Sequence, residues 1–341
     1  VSYSDRADDA KIPLLYPNIS AFLADHSADI AIVGRPVDTT NGGSSNFTYA
    51  GSVFLPVGPQ AVAVVYNIPA IPDVPSGLKL DRPTLNAVLS GNATYWDDPR
   101  VKSLNPDMSL PHEKIVVVHE GTAGSSSDML ARYLAPAMSN NNNSTTIITW
   151  PKSSLVADSA SSLSAMVRQT PYSIGYVDFA FAVQTRMTYA SLQNSDGEYI
   201  LPSVDSVGAA VRNGTVVAVN STAPAQKNDM NPENPSPVAT PPAISIGQLG
   251  NGSYPLVSFY YAAFSDRAAG LKANETGGAS SNDKNAAAVD FIRWIVGKEG
   301  QQILQDMQYP PIYRQNKDLE AFADKVLGEK ASAPVAKAPP Q

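Results

Sequence analysis

The sequence predicts an α/β fold with mainly parallel sheets covered on both faces by helices, and three observations carry that class. The chain has 341 residues, above the length at which one hydrophobic core usually divides into two. Its apolar residues fall into short continuous runs rich in β-branched side chains. Those runs alternate with stretches of helical periodicity, the pattern of strands buried on both faces.

In chain order, Ala28 to Val33 reads as a buried strand and Gln60 to Tyr66 as another. Pro83 to Ser90 reads as a short helix with proline in its first turn. Lys114 to Val118 is a strand, Ser126 to Ala135 an amphipathic helix and Thr145 to Trp150 a further strand. Ser161 to Gln169 is a helix, Ser173 to Val177 a strand, and Leu256 to Ala263 a continuous apolar strand. The longest helix runs from Ala286 to Asp306, with Val289, Ile292, Ile295 and Val296 on one face. Residues 223–243 are a proline-rich loop, and Ala331 to Gln341 is an Ala/Pro/Lys tail of extended, polyproline-like character. No internal repeat is visible.

Composition excludes several classes. Hydrophobic residues make up 43% and charged residues 16%, with a formal net charge of -7. No basic footprint for nucleic acid is present. No apolar run approaches the roughly 20 residues of a membrane-spanning helix. With no cysteine, disulfides, thiolate metal sites and cysteine nucleophiles are out. The first residues, Val1 to Ser4, carry neither an initiator methionine nor a signal peptide and read as a processed start.

Sequons are dense. Asn-x-Ser/Thr occurs at Asn18, Asn46, Asn92, Asn142, Asn143, Asn213, Asn220, Asn251 and Asn274. Chance at this composition gives roughly four. Nine point to a secreted or cell-surface glycoprotein carrying N-linked glycans. An Asn/Ser/Thr-rich microbial exoprotein is the other reading.

Three stretches resemble one family. The first is Leu85 to Gly91, followed by Tyr95-Trp96-Asp97-Asp98-Pro99-Arg100-Val101 and Leu104-Asn105-Pro106. The second is Leu110-Pro111 leading into Ile115 to Val118, and the third is Arg168 to Asp178. In order and spacing they resemble the PstS-like periplasmic phosphate-binding proteins of phosphate ABC transporters, from about Ala28 to about Ile312. The resemblance implies a type II periplasmic-binding-protein fold: two α/β lobes with the ligand between them. One lobe would use residues 1–67 and 252–330, the other residues 68–251, and residues 331–341 would form the extended tail.

Set against the family's phosphate site, the sequence departs at most positions. Its Gly/Ser-rich turn corresponds to Ser4-Asp5-Arg6-Ala7-Asp8-Asp9, and Val33 and Gly34 stand where the family has Ser and Asp. In the stretch that opens a helix, His119 to Ser127, the family's ligand arginine becomes Glu120 and its ligand aspartate becomes Thr122. What remains is the helix start, where Thr122, Gly124, Ser125, Ser126 and Ser127 offer N–H and hydroxyl donors. Two readings stay open: Ser125 or Ser126 simply caps the helix, or a small-anion or sugar site survives there. His119 abuts this cleft and is kept as a candidate, while His26 and His112 read as surface residues. The Asp5, Asp8, Asp9 cluster has the wrong spacing for a Ca²⁺ loop and reads as a solvated turn.

No nucleophile–base pair, metal set or nucleotide loop is visible, so neither an enzyme nor a cofactor or metal site is expected. The resemblance also places the start of the chain at the family's second strand. A first-lobe sheet without its first strand would leave backbone groups unpaired, at about 1–3 kcal/mol each. A strand from a second copy would satisfy them, and Pro334, Pro339 and Pro340 make the tail a poor strand but a candidate for lying along a neighbour. The expectation is a self-assembling, filament-forming structural subunit, a homo-oligomer joined through this gap and the tail. The alternative is a solute-binding protein for phosphate or another small oxyanion.

Overall fold

The structure is a computed structural model that describes residues 29–34, 52–69, 71, 77–121, 124–138, 148–214, 244, 246, 249–265, 279–307, 309–313 and 315–327. The proline-rich loop, the tail, the Asp5/Asp8/Asp9 cluster, His26 and Thr122 lie outside the described residues.

The main sheet runs in the order β1-β10-β2-β6-β4-β5, with β7 added beside β2. Its strands are β1 (Ile30–Val33), β2 (Ser52–Asn67), β4 (Val116–Glu120), β5 (Leu155–Ala157), β6 (Ser173–Asp178), β7 (Thr188–Tyr189) and β10 (Val257–Ser265). A second sheet of β3 (Lys79–Leu80), β8 (Ser191–Gln193) and β9 (Tyr199–Ile200) follows the order β3-β8-β9. The helices are α1 (Arg82–Leu89), α2 (Pro99–Leu104), α3 (Ser125–Met138), α4 (Ala160–Gln169), α5 (Phe179–Gln184), α6 (Val204–Asn213), α7 (Ala279–Val296), α8 (Lys298–Asp306) and α9 (Lys317–Leu327).

The main sheet is mixed. Parallel pairing joins β6 to β4 and β4 to β5, whereas β1, β10, β2 and β6 pair antiparallel. Strand β2 explains the change. Its 16 residues pair with β10 from Ser52 to Ala61 and with β6 from Val62 to Asn67. One strand thus carries the sheet from one half of the molecule to the other. The sequence reading begins this strand at Gln60, because Pro56 and Pro59 break a ladder. The fold absorbs them with a bulge in β2 itself, where Val57 is the extra residue opposite the Tyr260–Tyr261 step of β10.

Local signals account for most helix starts. Asp81 caps α1 by accepting from the Thr84 N–H at 2.8 Å, and Asp98 caps α2 by accepting from the Arg100 N–H at 2.9 Å. Ser203 and Ser206 form a capping box at α6. The long C-terminal helix divides at Gly297 into α7 and α8. At Gly300 an added Cβ would collide with the Trp294 and Ile295 carbonyls, so only glycine allows the turn this close to the preceding helix. Residues 148–150 form no strand; the edge strand lies further on, at Leu155–Ala157.

The core follows the strands. Leu55, Val62, Ala63, Val65, Phe259, Tyr261 and Phe264 are fully enclosed, so the Phe259-Tyr260-Tyr261 run packs largely within the sheet. Trp96 is also fully buried and donates its indole N–H to the Tyr172 carbonyl at 3.0 Å, tying the Trp-Asp-Asp-Pro turn to β6. Tyr172 has φ +63, where the phosphate-binding family's pattern carries glycine.

Candidate functional site

The start of α3 lies where β4 ends, beside β2 and the end of β1. Gly124 is the helix's N-cap, its carbonyl accepting from the Asp128 N–H at 3.1 Å. Ser125 and Ser126 therefore sit inside the first turn rather than at the cap. Ser125 Oγ accepts from Gln60 Nε2 on β2 at 2.9 Å. Gly34, just past β1, is so close that an added Cβ would lie 2.5 Å from Ser125 Cβ and Oγ. The aspartate found here in the phosphate-binding pattern has no room in this arrangement.

Ser127 points the other way. Its hydroxyl donates to Glu120 Oε2 at 2.9 Å. Since Ser127 has one proton to give, the Tyr176 hydroxyl, 2.7 Å away, donates to Ser127. The Glu120 N–H in turn donates to the Tyr176 oxygen at 3.2 Å. The four groups close a ring that begins and ends on Glu120. Its Oε2 also lies 3.1 Å from where a Cβ on Gly124 would be, which sets the carboxylate against the positive end of α3. Burial pushes the Tyr176 hydroxyl up to about 12; the Ser127 bond pulls it down and the Glu120 charge adds to the rise.

His119 is buried on β4. Its ring stacks on Trp150 at 4.4 Å and 3°, with Nδ1 2.8 Å from the Glu120 carbonyl and Nε2 3.1 Å from Ser154 Oγ. Both ring nitrogens have protein partners, so the residue serves the wall of the site rather than its opening. His112 stacks on Tyr95 at 4.4 Å and meets Asp97 at 3.0 Å. Among the described residues, no cluster of His, Cys, Asp or Glu is arranged to hold a metal ion.

Two features escape the sequence reading. Gln60 is 2% exposed, and its Oε1 has no hydrogen-bond partner. The signal for it is a polar residue opening an otherwise apolar run. The second is Asp178 at the end of β6. It caps α5 through the Ala180 N–H at 2.9 Å. It also accepts from the Tyr260 hydroxyl of β10 at 2.9 Å and from the Tyr309 hydroxyl, beyond α8, at 2.8 Å. Desolvation pushes this carboxyl above the ordinary range, with the hydrogen bonds from Tyr309, Tyr260 and the Ala180 and Phe181 N–H groups opposing the rise. The Tyr309 hydroxyl is pushed up by burial and by the adjacent Asp178 charge.

A long strand shared by two halves, with a helix start and a carboxylate clasp on either side of it, defines a two-lobed solute-binding fold. The chain matches the PBP superfamily domain over residues 19–299 and belongs to that superfamily, as a member similar to the PstS phosphate-binding proteins. It is 29% identical over 251 residues to the phosphate-binding protein PstS of Methanocaldococcus jannaschii, covering 71% of this chain and 59% of that one. With PstS of Xylella fastidiosa strain Temecula1 it shares 25% identity over 287 residues, or 83% of this chain and 68% of the relative. Mycobacterium tuberculosis PstS 3 matches at 31% over 177 residues, 49% of this chain and 45% of the relative. The chain thus spans about half to two thirds of the length of these curated relatives.

Among solved structures it resembles PfluDING, a high affinity periplasmic phosphate-binding protein bound with phosphate. The TM-score is 0.59 at 14% identity, covering 87% of this chain and 78% of the other. A phosphate-binding protein from Stenotrophomonas maltophilia gives a TM-score of 0.54 at 17% identity, covering 92% and 84%. At these identities the likeness is one of fold. No described helix is long and apolar enough to cross a membrane.

Proposed function

We propose that this chain is an extracellular, N-glycosylated, non-enzymatic PstS-like protein that has given up phosphate capture and serves as a self-assembling structural subunit. One observation carries the reading: the start of α3 already holds an anion, the chain's own Glu120 carboxylate, bonded to Ser127 at 2.9 Å. A phosphate oxygen about 4 Å from that carboxylate meets roughly 4 kcal/mol of repulsion at an effective dielectric near 20. The hydroxyl and N–H donors left at the helix start do not offset that. Assembly is supported by the ends of the main sheet, where β1 exposes Ile32 and β5 exposes Leu155 and Val156. Exposed apolar edges of this kind invite strand pairing with another copy. In this reading residues 1–67 with 252–330 and residues 68–251 are the two lobes, and the tail, residues 331–341, joins the contact between copies.

The test is paired calorimetry and light scattering on the full chain. Inorganic phosphate should give no binding heat, and the particles should exceed a monomer in mass. Submicromolar phosphate binding by a clean monomer would overturn the proposal. Glu120→Arg, which restores the phosphate-binding pattern's guanidinium, should raise phosphate affinity above that of the parent.

A second reading, a binding protein for phosphate or another small oxyanion, is favoured by Gln60. Its buried, unpartnered Oε1 beside Ser125 is an acceptor suited to the proton of a hydrogen phosphate. In that case Gln60→Met would abolish a phosphate heat that the parent protein gives.

A further inference from the structure

Three sequon asparagines lie within the described residues, and their surroundings differ. Asn92 is exposed at the turn after α1, next to Gly91 at φ +78. Its side chain makes one local contact, donating to Ser90 Oγ at 3.0 Å. Asn251 is exposed at the tip of a tight turn with φ +51, and its backbone N–H is held by Asp196 Oδ2 at 2.8 Å. Asn213 ends α6. Its residue surface is exposed, but its amide nitrogen is engaged inward. It donates to Ser253 Oγ at 3.0 Å and to the Asn251 carbonyl at 3.3 Å. Ser253 is fully buried.

Resting on the glycoprotein reading above, we propose that the folded, secreted chain carries N-linked oligosaccharide at Asn92 and Asn251 and is bare at Asn213. In the transfer, the asparagine Nδ2 bonds to C1 of the first sugar of a lipid-pyrophosphate-linked oligosaccharide. The bond from C1 to the pyrophosphate oxygen breaks, and the lipid pyrophosphate leaves with the electron pair. The amide gives up one proton to a base of the transferring enzyme. An asparagine so modified keeps one amide N–H. At Asn92 one N–H is enough for the Ser90 contact. At Asn213 both N–H groups are in use, so one contact is lost and the first sugar is placed against the turn at 250–253. A chain modified there cannot seat that turn on α6, and secreted, folded material is depleted of it. Asn251 meets no such conflict, because its own backbone, not its amide, anchors the turn.

The full chain is secreted from a eukaryotic host, and its glycans are released enzymatically in heavy-oxygen water, which marks each formerly glycosylated asparagine as labelled aspartate. Label is expected at Asn92 and Asn251 and absent at Asn213. Asn92→Gln should lower the intact mass by one glycan. Thr215→Ala, which removes the Asn213 sequon without touching its amide, should leave mass and melting temperature unchanged. Label at Asn213 overturns the proposal. So does a bare Asn92 or Asn251 when other sequons, such as Asn18 or Asn274, are occupied. If all nine sequons are bare, the glycoprotein reading falls and takes this inference with it.

Discussion

Glu120 and Asp178 are two carboxylates in similar company, and they have been put to different uses. Each ends a strand of the same sheet, and each has a tyrosine hydroxyl in its hydrogen-bond network. Glu120 reaches forward to Ser127 at a helix start, inside a ring of groups drawn from β4, β6 and α3. Asp178 reaches back across the sheet, joining β6 to β10 and to the segment after α8. In the reading proposed above, one carboxylate occupies a place where a ligand would bind, and the other fastens the framework around it. A framework residue has to be kept for the fold to persist, whereas an occupant can change while the fold stays.

The largest effect expected from breaking this contrast is at Asp178. Asp178→Ala removes a helix cap worth about 1 kcal/mol and takes away the carboxylate acceptor of the Tyr260 and Tyr309 hydroxyls, bonds of a kind worth about 1.5–3 kcal/mol each. A loss of about 3 kcal/mol or more by urea denaturation is expected. Asp178→Asn retains an acceptor and should cost about 1 kcal/mol; equal losses would show that charge, not acceptance, matters. The pH dependence has a definite sign. The folded-state value of Asp178 is raised from 3.8 by desolvation. Its contribution is therefore fully present below pH 3.8 and is lost as pH rises through the folded value. As pH rises from 3.8 through the raised folded value, the parent should lose ground against Asp178→Asn.

Next come the tyrosines. Tyr133, Tyr176, Tyr254, Tyr309 and Tyr313 all have hydroxyls raised above the ordinary 10.0, with burial the leading cause. Raised folded values mean stability that is complete below pH 10 and lost above it, because the unfolded chain gives up these protons first. Each contributes a slope of about 1.4 kcal/mol per pH unit. For Tyr176 the window runs from 10.0 to about 12. Urea melts at pH 8, 9.5 and 10.5 should show a steepening loss, and Tyr176→Phe should make that slope shallower. A flat profile would mean the ring around Glu120 is open to water.

Gly34 tests whether the close approach at α3 is built in. Gly34→Ala places a Cβ against Ser125, and overpacking of this kind costs about 1–3 kcal/mol. Ser125→Gly in the same chain should restore most of that loss. If Gly34→Ala is neutral, the two halves separate easily at this point.

How much of this was legible in the sequence follows from what each residue answers to. The strands 173–178 and 116–120 and the helices around 82–89 and 160–169 could be read because caps, prolines and continuous apolar runs act locally. The first half of β2 could not, because Pro56 and Pro59 argue against a strand and the bulge at Val57 reconciles them with the ladder to β10. The division at Gly297 was hidden because helix-forming residues flank it on both sides and a single glycine does not by itself end a helix. At the site, the exchange of guanidinium for Glu120 was plain from the resemblance. Its ring with Ser127 and Tyr176 was not, since those residues are 7 and 56 apart from it. Gln60 opens one strand read from the sequence and Asp178 follows another, but their partners are long-range, and no local pattern announces them.

The smallest expected effect bears directly on the occupant. Glu120 and Ser127 can be separated from the framework by a double-mutant cycle with Glu120→Gln and Ser127→Ala. A hydroxyl bonded to an ionised carboxylate contributes about 1.5–3 kcal/mol when enclosed, but this ring is partly open, so a coupling of about 1 kcal/mol is expected. Neither substitution removes a core side chain, and each alone should leave the urea slope unchanged. If the coupling is near zero, Glu120 is not held at α3, the helix start is free for a ligand, and the oxyanion reading gains. If it is near the expected value and phosphate leaves it unaltered, the carboxylate and the ligand do not compete, because the ligand does not enter.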